Sequence, residues 1–216
     1  MHWPHDIFEA KALQEELRGR VRIVPLEHEP RVIAGVDAAF AGDTIIAVAC
    51  SYEYPAMTLI EDSHAVETVS FPYIPGFLSF REGPAFISAV ARLGSKPDLL
   101  LVDGQGIAHP RGLGIASHIG VLLDMPAIGC AKSLLVGRYE EPDATKGARS
   151  PLYYKGDVVG AVLRTRDTAN PVFVSAGHRI DLESSLRIVL GCVRKYRIPE
   201  PIRRADMLSK KLKTAL

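Results

Sequence analysis

Residues 98–103 (Asp-Leu-Leu-Leu-Val-Asp) form the segment that most limits how this chain can fold. Four consecutive apolar residues between two acids leave no polar face, so a strand formed here must be covered on both sides. Such a strand is typical of the centre of a parallel sheet with helices packed on either face. The segment therefore predicts a three-layer α/β fold.

The surrounding sequence agrees with this prediction. Three extended segments joined by short turns precede the central strand and predict an antiparallel meander: 32–40, 44–53 and 57–69. Apolar periodicity predicts helices that begin after Asp6 and Asp181, a helix on either side of the central strand, and a basic helix at the end. We place Pro84 in the first turn of the helix before the central strand. The remaining strands are predicted at 126–130, 152–164 (a hairpin) and 172–175.

Composition excludes several classes of protein. The chain has 26 Lys and Arg against 25 Asp and Glu, a net charge of +1, and 47% hydrophobic residues. These values exclude a disordered chain and a polycation that coats nucleic acid.

The three cysteines of the chain, Cys50, Cys130 and Cys192, are predicted to be buried free thiols. Neither a signal peptide nor an apolar run of membrane-spanning length is apparent, so we expect one cytoplasmic domain over residues 1–216.

Four acids fall where an isolated charge is unexpected. Asp37 lies within an apolar strand, Asp103 ends the central strand, Glu82 lies at the start of a helix and Asp206 lies on the last helix. If the strands of Asp37 and Asp103 are neighbours, a divalent cation would relieve the repulsion between them. Oxygen ligands favour Mg²⁺ or Mn²⁺ over zinc. Ordinary roles remain open: turn or cap residues, a capping box of Glu82 with Ser79, and a solvated Asp206.

Two loops have unusual compositions. Residues 71–82 form an aromatic, proline-stiffened loop that would hold Tyr73 outward. Residues 103–120 place glycines around His109 and Arg111, which allows the backbone to approach a ligand closely. The glycine spacing matches neither a dinucleotide-binding loop nor a P-loop, so ATP-binding sites of those types are disfavoured.

Five segments carry a resemblance to a known family: GVD (35–37), FPYIPGFLSFREGP (71–84), LLLVDGQGIAHPRGLGIASHIG (99–120), PAIGCAKS (126–133) and YRIPEPIRRAD (196–206). In these segments the chain resembles the endonuclease V family. The resemblance implies a ribonuclease H-like three-layer fold, with a central mixed sheet flanked by helices. It also implies a Mg²⁺-dependent DNA repair endonuclease, in which Mn²⁺ can substitute.

The reaction implied by the resemblance is incision of DNA containing deoxyinosine, the product of adenine deamination. Family members hydrolyse the second phosphodiester bond 3′ to the lesion and leave 3′-hydroxyl and 5′-phosphate ends. Some members act on inosine in RNA or in single strands. The implied partner is therefore damaged nucleic acid rather than a membrane, and we expect a monomer.

The resemblance also implies roles for individual residues. Asp37, Glu82 and Asp103 match metal ligands, and Lys132 matches a residue near the scissile phosphate. Asp206 matches a position where some members carry His, and it could hold a second ion with Glu82. Tyr73, with Pro72, Ile74 and Pro75, matches a wedge that fills the gap left by the lesion. The matching pocket residues are Gly76, Leu78, Gly104, Gly114 and Ile115, with His109 near both pocket and metal.

Two other functions remain open from the sequence. One is a different ribonuclease H-like nuclease, and the other is a non-catalytic reader of modified nucleic acid. The number of metal ions is also open. The basic residues near the end of the chain are either a solvated helix face or contacts to phosphates: Arg203, Arg204, Lys210, Lys211 and Lys213.

Overall fold

The computed structural model describes residues 3–215, which build one eight-stranded sheet and five helices. The strands are β1 (Val32–Ala41), β2 (Thr44–Glu53), β3 (Thr58–Thr68), β4 (Leu99–Val102), β5 (Ala127–Ala131), β6 (Arg149–Tyr154), β7 (Asp157–Leu163) and β8 (Val172–His178). The helices are α1 (Ile7–Arg18), α2 (Leu78–Ala91), α3 (Ile115–Leu123), α4 (Leu182–Gly191) and α5 (Glu200–Lys213).

The sheet is mixed, with a short parallel centre. Its strand order is β3-β2-β1-β4-β5-β8-β7-β6. Strand β4 pairs in parallel with β1 on one side and with β5 on the other, whereas all other pairs are antiparallel. Every residue of β4 is buried, as its uniformly apolar sequence predicts. The predicted meander and the hairpin that turns at Lys155 and Gly156 are also confirmed.

Alternating residues of the central strands face two different cores, which produces the three predicted layers. Ala34, Val36 and Val102 pack with α2 and α3 on one face. On the other face, Ile33 and Leu101 pack with residues of α4 and α5. Helix α1 lies outside this arrangement and packs against α3. The expected fold, helices on both faces of a central mixed sheet, is therefore confirmed.

Gly35 allows α5 to lie directly on β1. A methyl group at Gly35 would come within 2.3 Å of the Pro201 carbonyl carbon and 2.4 Å of the Ile202 nitrogen. No side chain can be accommodated at such distances without a backbone shift. The absence of a side chain on this face of β1 brings the later residues of α5 close to the strand.

The predicted start of α2 is wrong. Pro84 lies in the interior of a helix that begins at Leu78, and Ser79 lies inside that helix, so it does not form the capping box with Glu82. Proline removes one helical hydrogen bond, but the first turns of α2 bury Phe80 against Phe71 and Phe77. Packing of this aromatic cluster outweighs the local preference of proline for a first turn. Glu82 therefore projects from within the helix rather than from its start.

Two smaller expectations concern the thiols and membrane-spanning segments. Cys50, Cys130 and Cys192 are free and buried, as predicted. In the described part of the chain, no helix is both long enough and apolar enough to cross a membrane.

Candidate active site

Asp37 and Asp103 lie side by side at the centre of the sheet. Val36 of β1 is the register partner of Val102 of β4, so the two aspartates that follow occupy adjacent positions. The Asp103 amide donates a hydrogen bond to the Val36 carbonyl oxygen at 3.3 Å, which extends the ladder by one step. The two strands are thus neighbours, as the proposed pairing of these acids requires.

Helix α5 adds a third carboxylate, because its close contact with β1 directs Asp206 towards Asp37. One oxygen from each of Asp37, Asp103 and Asp206 lies within 4.8 Å of the others. Among residues 3–215, this is the single group of three or more His, Cys, Asp or Glu side chains with such spacing. Three carboxylate oxygens form a donor set that suits a hard divalent cation such as Mg²⁺ or Mn²⁺.

Burial and mutual repulsion perturb the protonation of this group. Burial, followed by the charge of Asp103 and a hydrogen bond with Asp206, raises the pKa of Asp37 to about 8. Burial also raises the pKa of Asp103, although Lys132 opposes the shift. Partial burial of Asp206 is outweighed by hydrogen bonds from Lys210 and Asp37, so the pKa of Asp206 is lowered. Three acids held this closely favour the binding of positive charge.

Lys132 supplies one such charge. It follows β5, and its Nζ donates to Asp103 and lies 3.5 Å from an oxygen of Asp206. These carboxylates raise the pKa of Lys132 despite the opposing effect of its partial burial, so the amine remains an ammonium group. Its side chain is half-exposed, which leaves it able to contact a bound anion.

Glu82 lies close to Asp103 but outside the group of three carboxylates. It projects from α2, which covers the opposite face of the sheet from α5. Burial, with a smaller contribution from the charge of Asp103, raises the pKa of Glu82 to about 8. The structure therefore unites Asp206 with Asp37 and Asp103 rather than pairing it with Glu82.

A cavity of about 360 Å³ adjoins the carboxylates. Asp103 and Lys132 both line the cavity. Asp103 also belongs to the group of three carboxylates, and Lys132 donates a hydrogen bond to it. Nine of the ten residues predicted to bind substrate also line the cavity: Tyr73, Ile74, Pro75, Gly76, Leu78, Gly104, His109, Gly114 and Ile115. Pro72 does not. A second cavity of about 490 Å³ lies around residues 24–31, and no predicted site residue lines it.

The loop between β3 and α2 presents Tyr73 at the cavity mouth. The Tyr73 side chain is 69% exposed, whereas Phe71 and Phe77 on either side of it in the loop are buried. The buried aromatic rings anchor the loop in the cluster beneath α2. The loop thus leaves one aromatic ring in solvent at the cavity mouth, and the role of Tyr73 as a wedge stays a prediction.

Several cavity residues were not predicted from the sequence. Gln105 donates from Nε2 to the Ser133 carbonyl oxygen at 3.1 Å, and its buried Oε1 has no hydrogen-bond partner among residues 3–215. Leu134 and Leu135, which follow Lys132, are exposed apolar residues at the cavity rim. The sequence offered one indication of these residues. Gln105 lies within the 103–120 segment, and Leu134 and Leu135 directly follow the 126–133 segment.

The basic cluster of α5 is largely neutralised within the protein. Arg203 pairs with Glu200, Arg204 forms two hydrogen bonds with Asp62, and Lys210 holds both oxygens of Asp206. These three cations are therefore paired within the protein rather than fully solvated, and their contacts to phosphates stay a prediction. Lys210 instead belongs to the acidic site.

Comparisons with known proteins identify the family. Residues 15–207 match the family model described as Endonuclease V. Endonuclease V of Dictyoglomus turgidum is 50% identical to the chain over 218 residues, covering 98% of this chain and 96% of that protein. The crystal structure of Endonuclease V from Streptomyces avermitilis superposes with a TM-score of 0.94 at 44% identity, covering 99% and 96% of the two chains.

A further neighbour is relevant to the ligand. Endonuclease V from Ciona intestinalis, crystallised with a 24-mer DNA containing an inosine followed by a ribo-adenosine, superposes with a TM-score of 0.86 at 30% identity. The alignment covers 97% of this chain and 99% of that one. These likenesses extend over the whole sheet and its helices, which confirms the ribonuclease H-like fold. The chain belongs to the Endonuclease V family.

Proposed function

We propose that this endonuclease recognises deoxyinosine in DNA and hydrolyses the second phosphodiester bond 3′ to the lesion. The reaction requires Mg²⁺, for which Mn²⁺ can substitute, and leaves 3′-hydroxyl and 5′-phosphate ends. The observation that carries the proposal is the shared wall between the cavity and the acidic group, formed by Asp103 and Lys132. A base held in the cavity would keep its own strand beside the carboxylates.

Recognition begins when the altered base leaves the helix. Extrusion costs a few kcal/mol and is easier at a mispair, which favours a deaminated base over a paired one. Tyr73 is exposed at the cavity mouth and stacks in the vacated space, which returns about 1–3 kcal/mol. Gly76 and Gly104 line the cavity, and their backbone groups would exclude the exocyclic amine that hypoxanthine lacks.

The chemistry at the phosphate depends on the acidic group. Asp37, Asp103 and Asp206 have the oxygen donors and the spacing that suit Mg²⁺, and Glu82 lies nearby as a further acid. When bound, the cation would lower the pKa of a water molecule and stabilise negative charge on the phosphate. Lys132 adds a fixed positive charge next to Asp103, where the transition state is most anionic.

The comparisons support a nucleic-acid substrate. The Ciona intestinalis relative binds a DNA that contains inosine, and its fold matches this chain throughout. We extend the proposal to inosine in RNA and in single strands as secondary substrates. We further propose that residues 1–216 act as one domain and as a monomer in the cytoplasm.

The test is cleavage of an end-labelled duplex with one deoxyinosine, together with matched strands that carry inosine in RNA. With Mg²⁺, we expect a single nick at the second phosphodiester 3′ to the lesion. Ligation of the product without phosphatase or kinase treatment would verify the 3′-hydroxyl and 5′-phosphate ends.

Two controls decide the outcome. An undamaged duplex of the same sequence should remain intact, and EDTA should stop cleavage. Equal cutting of both duplexes would reject lesion recognition, whereas cutting in EDTA would reject the metal assignment. Lesion binding with no cutting in any divalent metal would instead support a non-catalytic reader.

A further inference from the structure

We propose that Gln14, on the N-terminal helix α1, is a positioning residue for the damaged-base cavity. It fixes the carbonyl group of Gly76, a residue that lines the cavity, and so sets both the width of the cavity and the orientation of the loop that carries Tyr73. The inference rests on the proposed function, because it assigns a role within the same site.

The Gly76 carbonyl oxygen accepts hydrogen bonds from three side chains that come from two separate parts of the chain. Gln14 donates from Nε2 at 3.0 Å, and His109 donates from Nε2 at 3.1 Å. The Arg111 guanidinium is the third donor. The role of His109 follows from its other nitrogen, because Nδ1 accepts from the Arg111 amide at 3.2 Å.

Gln14 also holds Arg111. Its Oε1 accepts from Arg111 Nε, so both ends of the Gln14 amide are used and its orientation is determined. The Arg111 guanidinium carbon lies 4.1 Å from the centre of the Phe77 ring, adjacent to Gly76 in the chain. The Gln14 amide, the Arg111 guanidinium and the Phe77 ring thus pack together next to the Gly76 peptide group.

The Gly76 peptide needs this support. Gly76 has a φ of +81°, which only glycine adopts at little cost, and glycine is also the most flexible residue. Without directional contacts, this peptide could rotate and move the cavity wall. Three donors on its oxygen restrict that rotation where a purine edge would lie.

Docking of α1 does not require an amide at this position. Ala10 packs into the aromatic cluster beneath α2, and Leu17 packs against Leu113 and Val121. Gln14 is fully buried among these apolar contacts, where an aliphatic side chain would avoid the cost of burying polar atoms. The presence of a glutamine is explained by the two groups that it binds.

The experiment compares Gln14→Leu and Gln14→Glu with the wild type in single-turnover cleavage of inosine-containing strands. The glutamate variant keeps an acceptor for Arg111 but cannot donate to Gly76. For both variants we expect the half-saturating enzyme concentration to rise about tenfold, with the maximal rate changed by less than about twofold. In competition, guanosine-containing strands should gain about tenfold relative to inosine strands.

The matched control is Ala12→Gly, at an exposed position of α1. It weakens the helix through backbone entropy and removes no contact to the loop. We expect a lower melting temperature with unchanged half-saturation and unchanged base discrimination. Wild-type behaviour of folded Gln14→Leu or Gln14→Glu would overturn the proposal, as would the same losses in Ala12→Gly.

A second readout separates this proposal from the function itself. In the free protein, amide hydrogen exchange of residues 71–80 should be faster in Gln14→Leu than in the wild type, but unchanged in Ala12→Gly. If wild-type protein cut no inosine-containing strand, the proposed function would fail. The exchange comparison would still decide whether Gln14 holds the loop, and equal exchange would overturn that claim.

Discussion

At the scale of single residues, Asp37 and Tyr73 represent two opposite ways to place a functional group. Asp37 is held inside the sheet, where burial and neighbouring acids disfavour its charge. The Tyr73 ring is held in solvent by the buried aromatic residues on either side of it, so burial of this ring contributes little to the free energy of folding. Both arrangements are unfavourable or neutral for folding alone, so stability does not account for either residue, and both are predicted to act on a ligand.

Asp37→Asn should reduce cleavage of an inosine-containing strand by at least about 100-fold in Mg²⁺. The amide oxygen of asparagine is a weaker ligand for a divalent cation than a carboxylate oxygen, and the amide carries no negative charge. Without metal, the variant should melt at the same temperature as the wild type or higher, because burial and neighbouring acids disfavour the charge of Asp37, whereas an amide carries none. Asp43→Asn, at an exposed turn acid, is the control. A fully active Asp37→Asn protein would show that the carboxylate is not needed.

Tyr73→Ala should weaken binding to the lesion strand by about 5- to 150-fold, equivalent to the loss of ~1–3 kcal/mol of stacking. The melting temperature should not change, since the ring is mostly exposed. Fluorescence anisotropy with a labelled inosine strand measures the effect. Tyr153→Ala, which removes a 42% exposed tyrosine on β6, should leave binding unchanged. Equal affinities for Tyr73→Ala and the wild type would exclude the wedge.

At the scale of elements, the site depends on how helices lie against the sheet. Apolar runs and alternation predicted the strands, because sheet burial leaves a direct pattern in the sequence. The start of α2 was not predictable in this way, since long-range packing of Phe80 overrides the local effect of Pro84. Gln14 also escaped prediction, because a glutamine on a polar helix resembles a solvent-exposed residue until its partners are known.

Gly35→Ala should destabilise the protein by about 1–3 kcal/mol or more, because the new methyl group clashes with the backbone at Pro201. A forced separation of α5 from β1 should also move Asp206 away from Asp37 and reduce cleavage. Urea unfolding and single-turnover cleavage measure the two effects. Gly19→Ala provides a glycine position with a negative φ and only one contact, at 3.4 Å, so it should be tolerated. Unchanged stability in Gly35→Ala would contradict the close approach.

The contact between α2 and α3 predicts a sensitivity to acid. His118 of α3 is buried, its Nδ1 lies 2.8 Å from the Ser79 hydroxyl, and burial lowers its pKa to about 3. Between pH 6.5 and 3, the unfolded chain binds a proton at this residue that the folded chain does not. Stability from neutral His118 is therefore present above pH 6.5 and falls on acidification, by at most ~1.4 kcal/mol per pH unit.

Urea unfolding from pH 7 to pH 4.5 tests this dependence in the wild type and in His118→Gln. The slope against pH should be smaller in the variant, although its absolute stability is lower. The difference isolates His118, because Asp37 and Glu82 are present in both proteins; their raised pKa values act in the opposite direction. Parallel slopes would show that His118 is protonated equally in both states.

At the scale of the whole molecule, charge is almost balanced overall but concentrated locally. The net charge is +1, yet three carboxylates converge at the carboxyl end of the central strand β4, with Lys132 and Lys210 beside them. The sequence singled out Asp37 and Asp103, since one interrupts an apolar strand and the other ends one, and it singled out Asp206 through the family resemblance. Only the packing of α5 on β1 showed that Asp206 joins Asp37 and Asp103 while Glu82 stays outside.

A cation that binds this group should stabilise the entire fold. At about 100 times its dissociation constant, Mg²⁺ should add ~2.7 kcal/mol to the free energy of unfolding, provided that the unfolded chain does not bind it. Thermal melting across a Mg²⁺ titration measures the gain. Asp37→Asn should lose most of it, and Asp43→Asn should keep it. Equal gains in both variants would place the cation elsewhere.

The position of α5 on β1 has a consequence for protein synthesis. Asp37 leaves the ribosome early, whereas Asp206 and the helix that carries it emerge only after every strand of the sheet. A nascent or prematurely terminated chain that lacks α5 therefore has an incomplete acidic group. The order of the elements along the chain thus leaves the acidic group incomplete until the whole sheet has been translated and the last helix has packed on it.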